Sequence, residues 1–245
     1  MDKSLKDLLQ SDEIYSTDPA DLFNRLADTL LNKCIIRVNG KVYRMLEIEF
    51  YLYSSTHKDL ITYPREEKGG NWFFHQSGVD ICFKSKCDRD GAHFSLAESN
   101  QFGGILIRSI LEIGNDLKYH KDLELVHGPM KCVDVLFKSF GALDDNRCES
   151  QIPYIDECVL SEKVVVMQTQ RHIPAKGGAR KKIENILSST YKMEKDKINE
   201  VDVESFAKYI EENTSYTYRY YIEPKYDKLW KNYNAKPKNG IVVSK

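Results

Sequence analysis

Residues 46–51 read LEIEFY, which sets Glu47, Glu49 and Tyr51 two apart along a run of strand-forming residues. Side chains alternate along a strand, so if Leu46, Ile48 and Phe50 point into a core, the two carboxylates and the phenol share the opposite face. A carboxylate fixed on a rigid strand can orient a water and take its proton, and a neighbouring ring can stack on a flat substrate. The same pattern also describes a strand whose polar face meets solvent, which is where an isolated strand glutamate belongs as a rule.

The surrounding chain supplies the elements that must hold this strand. Asp18-Pro19 is a helix start, and Leu22, Leu26 and Leu30 recur at helical spacing in a segment ending near Lys33. CIIRVNGKVYRMLEIEFYLY follows, two β-rich runs joined at Asn39-Gly40, a strong hairpin signal because both residues tolerate positive φ. Residues 54–71 are polar, contain Pro64, Gly69 and Gly70, and predict a long loop able to line a cleft. NWFFHQSGVDICFKS predicts a strand pair or one bent strand, residues 85–102 a second polar loop, and GGILIRSIL a strand on which Leu106 and Arg108 share a face. HGPMKCVDVLFKSFG has the pattern of a helix with Pro in its first turn and Gly141 as its stop. KVVVMQTQRHI is a further strand, KGGARKK a basic turn, residues 184–213 a charged helical insertion, and YTYRYYIEP a last strand. Helices interleave with antiparallel hairpins, so the expected class is α+β: a single domain over residues 1–245 around a curved, mainly antiparallel β-sheet with flanking helices.

Composition narrows the function. The chain has 245 residues and a formal charge of −1, divided as +6 over residues 170–245 and −7 over residues 1–169. This excludes a uniformly basic coat but permits a local basic face for an anionic polymer. No apolar run approaches a membrane span of about 18 residues, and the acidic amino terminus is unlike a signal sequence, so an intracellular protein is expected. The six cysteines are scattered without CxxC or zinc-module spacing, so they read as reduced structural thiols, with no metal site expected.

The order of these segments resembles the alkyladenine (methylpurine) DNA glycosylases. The motifs that carry the resemblance are LADTLLNKCIIRVNGKVYRMLEIEFYL, GGNWFFHQSG, GGILIRSI, HGPMK and TYRYYIEP, running in that order from about residue 19 to 222. Each motif is weak alone, and their shared order is the signal. The resemblance implies a metal-free, cofactor-free, monofunctional enzyme that extrudes a nucleotide from double-stranded DNA and hydrolyses its N-glycosidic bond. It makes Glu49 the catalytic carboxylate, and Tyr51, Trp72 and Phe74, with His57 less securely matched, the walls of the base pocket. It makes Arg108 a phosphate clamp, although an ion pair with the hairpin glutamates is an equally good reading of that arginine. Lys131 at the helix start and Arg180 and Lys181 in the basic turn are further phosphate contacts, and each is equally at home on a solvated surface.

The chain departs from the family where substrate is read. The family wedges a tyrosine into the gap left by the flipped base, and the corresponding place here is Ser77; the role then falls to His75, Gln76 or another loop. An asparagine of the family's purine pocket falls near Cys82 or Lys84. These changes put the identity of the base in question more than the reaction, and a modified base, as in marked viral DNA, fits them. The expected protein is a monomer acting on DNA in the cytoplasm or nucleoid. Two other readings stay open: a non-catalytic nucleic-acid-binding module on the same scaffold, and an N-ribosyl hydrolase of nucleosides or nucleotides.

Overall fold

The structure is a computed structural model and describes residues 3–15, 18–59, 61–87, 99–120, 122–138, 152–160, 163–171, 184, 187–188, 194–200, 217–222 and 240–243. Two long strands form its spine, β2 (Lys41–Tyr53) and β5 (Phe102–Ile113), paired antiparallel over nearly their whole length. Around them lie β1 (Cys34–Val38), β3 (Trp72–His75), β4 (Gly78–Cys82), β6 (Leu125–His127), β7 (Tyr154–Glu157), β8 (Val166–Thr169), β9 (Arg219–Ile222) and β10 (Ile241–Val242). The main order is β10-β8-β9-β2-β5-β4-β3; β1 adds to β2 and carries β7, and β6 adds to β5. Every pairing is antiparallel, and with its flanking helices the fold is α+β.

The expected hairpin turn forms at Asn39 (φ 50°) and Gly40 (φ 72°), both in the left-handed region that this pair of residues tolerates. The preceding helix, α2 (Pro19–Lys33), starts where Asp18 accepts a hydrogen bond from the Ala20 N–H and Pro19 fills the first turn. α1 is a short turn of helix, Leu5–Leu9. The apolar stripe of α2, from Leu22 and Phe23 to Leu30 and Leu31, is buried on the sheet. There Phe23 stacks on Phe50 at 4.4 Å and meets Tyr218 edge-on at 4.8 Å. Each such side chain contributes about 1.5–3 kcal/mol by leaving water, so this stripe fixes which face of β2 is the core. NWFFHQSGVDICFKS resolves into the hairpin β3–β4, whose two-residue turn is Gln76-Ser77. The helix predicted from HGPMK is α3 (Pro129–Leu136).

The arrangement departs from the half-buried strand expected at LEIEFY. Glu47 is 0% exposed and Glu49 1%, so the polar face is buried as thoroughly as the apolar one. The pairing of β2 with β5 also slips at this point: Met45 faces Ile110, Glu47 faces Ser109 and Ile48 faces Ile107, leaving Leu46 and Arg108 unmatched. Such irregularities re-aim side chains, and here the slip turns Arg108 toward the glutamates.

Of the charged insertion over residues 184–213, the described part includes a short helix, Lys195–Glu200. Arg180 and Lys181 lie outside the described residues. Among the described residues no helix is long and apolar enough to cross a membrane.

Candidate active site

Strand pairing brings the chemistry-bearing residues together. Phe73 pairs with Asp80, Asp80 with Leu106, Leu106 with Glu49, and Glu49 with Arg219, a row across five strands. Residues directly opposite one another project from the same face, so this row is one wall of the sheet. Tyr51 and Glu47 stand on that wall by alternation and by the pairing of Glu47 with Tyr221.

Two buried carboxylates need partners, because an unpaired charge in the interior is far costlier than one in water. Arg108 bridges them: its Nε donates to Glu47 Oε1 at 2.9 Å and its Nη1 to Glu49 Oε2 at 3.1 Å. Arg219 arrives from β9, bonding Glu47 Oε1 and placing its Nε 3.7 Å from Glu49 Oε1. Burial disfavours the Arg108 charge, but Glu49 and Glu47 outweigh that and hold its pKa above the ordinary arginine value. The Arg108 and Arg219 side chains keep partial contact with solvent, at 20% and 13% exposure, while the two carboxylates are closed off from it.

Glu47 is the hub of this network. Besides both arginines it accepts from the Ser109 hydroxyl at 3.0 Å, and Ser109 lies 2.7 Å from His127 Nδ1. Ser109 has one proton and gives it to Glu47, so His127 Nδ1 carries a proton and donates it to the Ser109 hydroxyl. Burial pushes the His127 pKa below its ordinary 6.5 against the upward pull of Glu47. Sequence reasoning assigned Glu47 no role; the structure makes it the post around which Arg108 and Arg219 are fixed.

Glu49 differs. Its Oε2 accepts from Tyr51 at 2.7 Å and from Arg108, while its Oε1 is buried and accepts no hydrogen bond. Tyr51 is itself held: the Arg171 guanidinium lies 4.6 Å over its ring and donates to the Phe50 carbonyl and to Asp59 Oδ2, both at 2.8 Å. Burial, reinforced by Glu49, raises the Tyr51 pKa well above that of a free phenol, so its hydroxyl stays a donor. The carboxylate therefore has one oxygen locked and one that accepts no hydrogen bond, with Arg219 Nε at 3.7 Å, the arrangement a base needs to orient a water.

The predicted pocket residues divide. His57 is buried, its pKa lowered by burial, and its ring lies 5.6 Å from Tyr218, which shares Arg171 with Tyr51. It therefore belongs to the cluster behind Tyr51. Trp72 and Phe74 do not share the face of Glu49. Trp72 pairs with Ile81, Ile81 with Ile105 and Ile105 with Phe50, so its row faces the α2 core, and Phe74 follows it by alternation. There Trp72 donates to the Pro153 carbonyl, and both rings meet Phe137 edge-on. The β3 residues on the wall that carries Glu49 are Phe73, with Arg65 at 4.2 Å over its ring, and His75.

The predicted wedge residues sit at and beside the β3–β4 turn, where Gln76 and Ser77 are exposed. His75 is tied to Asp80 at 3.0 Å. Arg108 takes the ion-pair role weighed against phosphate binding. Lys131 is exposed in the first turn of α3. Arg171, Arg219 and Arg65 escaped the sequence reading. Arg219 lay in plain view in TYRYYIEP, and its pairing opposite Glu49 is the signal that places it.

No family model and no solved structure matches the chain. It is similar to an uncharacterised protein of Acanthamoeba polyphaga mimivirus, with 31% identity over 146 residues, covering 54% of this chain and 64% of that protein.

Proposed function

We propose that the protein is a monofunctional DNA glycosylase that acts, as a monomer inside the cell, on a nucleotide swung out of the duplex. The observation that carries this reading is the unclaimed Oε1 of Glu49 on an otherwise immobilised carboxylate. In the proposed reaction Oε1 accepts a proton from a water whose oxygen bonds to C1′. The C1′–N bond breaks, and its electron pair leaves with the base, which then takes up a proton. Positive charge developing on the sugar is stabilised by the Glu49 carboxylate before it takes that proton. The cations bonded to those carboxylates are arginines, which do not form Schiff bases, in keeping with hydrolysis rather than lyase chemistry. Exposed Lys131 is the described candidate for a backbone phosphate contact.

One observation favours a second reading. Arg108 and Arg219 are both spent on Glu47 and Glu49, which suits an N-ribosyl hydrolase of free nucleosides that has no phosphate to clamp. Mass spectrometry of bases released from damaged, deaminated and hypermodified duplexes, with free nucleosides in a parallel arm, separates the two. Release from DNA that falls on the order of 10²–10⁴-fold in Glu49→Gln is the expected result. Release from nucleosides alone selects the second reading, and wild-type turnover by Glu49→Gln, or DNA binding with no release from either substrate, overturns both.

A further inference from the structure

Resting on the glycosylase reading, we infer that Tyr63, from the long loop after β2, is the ring that stacks within the nucleic acid, and that the β3–β4 turn serves as its mount. Three residues at this turn were expected to enter the gap themselves, but none offers a free flat surface. His75 is 7% exposed at its side chain, bonded to Asp80 and covered by the Tyr63 ring at 4.5 Å. Gln76 and Ser77 are exposed but have no aromatic face, and both spend their polar atoms on Tyr63: Gln76 Nε2 lies 3.0 Å and Ser77 Oγ 3.2 Å from its hydroxyl. Tyr63 is thus gripped at its hydroxyl and on one ring face while it remains partly exposed.

Its backbone is gripped as well. Arg65 Nε donates to the Tyr63 carbonyl at 3.0 Å, and the same guanidinium is fixed by Asp80 at 2.7 Å and by the Phe73 ring. Arg65 also reaches the catalytic centre. A Cβ at Gly104 would lie 2.7 Å from Arg65 Nη1, and Gly104 is the residue paired with Tyr51. One loop therefore runs from beside Tyr51 to the turn, on the wall that carries Glu49. Phe73, on the strand that leads into the turn, lies three strand spacings from Glu49, about 14 Å at about 4.8 Å each. A ring held this rigidly loses little entropy on stacking, and base–aromatic stacking is worth about 1–3 kcal/mol per base whatever the base.

The test avoids the unknown base. A duplex carrying a tetrahydrofuran abasic site, with 2-aminopurine as its 5′ neighbour, is titrated with the wild-type chain and with Tyr63→Phe and Tyr63→Leu. Stacking of Tyr63 quenches the 2-aminopurine. Tyr63→Phe retains the quench, whereas Tyr63→Leu, of similar bulk but with no π face, loses more than half of it at saturating protein. Thermal midpoints unchanged in the Phe and Leu variants show that the chain has kept its fold; if the Leu variant alone unfolds, the readout becomes nitration of Tyr63 in the wild-type chain, from which the bound duplex must protect it. A quench equal in Tyr63→Leu and wild type, or no quench and no protection in any form, overturns the inference. Tyr63-dependent quenching in a chain that releases no base would sink the glycosylase reading and leave the stacking role standing.

Discussion

Asp80 and Glu49 stand in one row of the same sheet, both buried and both paired with arginine, yet their carboxylates are used in opposite ways. Asp80 spends both oxygens, Oδ2 on Arg65 and Oδ1 on His75. Glu49 spends one oxygen twice and leaves the other without a hydrogen bond. Burial pushes the Asp80 carboxyl up, but Arg65 and His75 outweigh it, and the net direction is below the ordinary 3.8. The contrast separates a pair that holds the fold from a group kept available: burial and an arginine partner are common to both, and the unclaimed oxygen is what differs.

That contrast can be broken at its strongest point first. Asp80→Asn leaves Arg65 a buried cation without its counter-charge, and it should cost about 3–5 kcal/mol in urea denaturation. Glu49→Gln should cost far less, because Glu47 continues to hold both arginines; equal losses from the two changes would erase the distinction. Next in size, Tyr51→Phe removes one of the two bonds on Oε2 and should slow base release about tenfold, on the order of 1.4 kcal/mol, without moving the denaturation midpoint comparably. A smaller effect comes with pH. Burial depresses the pKa values of His57 and His127 below 6.5, so the unfolded chain binds protons more readily than the folded one. Their contribution is complete above 6.5 and is lost as pH falls through the depressed folded values, at no more than about 1.4 kcal/mol per pH unit and histidine. Unfolding free energies measured from pH 7.5 to 5 should decline, and His127→Gln should flatten the slope. Finally, Phe74→Ala should leave base release within about twofold of wild type, since Phe74 faces away from Glu49; a tenfold loss would return it to the pocket.

Much of the fold could be read locally. Asn39-Gly40, Asp18-Pro19 and the leucines of α2 each carry their own signal, so the hairpin and its covering helix follow from neighbouring residues. The wall that carries Glu49 could not be read that way. Which of Trp72 and Phe73 shares a face with Glu49 depends on the register of three successive strand pairs, and nothing within WFFH encodes it. The irregular pairing at Glu47 and Arg108 leaves no mark in composition, and Arg171 and Arg219 lie more than a hundred residues from the groups they hold. Tyr63 was hidden for another reason: polar loops have no periodicity, so a ring anchored in one looks like any other loop tyrosine.

The bond between Arg219 and Glu47 spans 172 residues, and this bears on how the chain is assembled. At 5–20 residues per second, β2 leaves the ribosome roughly 10–30 s before β9 is made. During that interval Phe50 and Ile48 can already collapse onto α2, but Glu47 and Glu49 lack one of their two cations, and sealing them off would strand uncompensated charge. The carboxylate wall must therefore stay wet while the opposite face of the same strand is already dry, and the late-made β9 is the strand that closes the site.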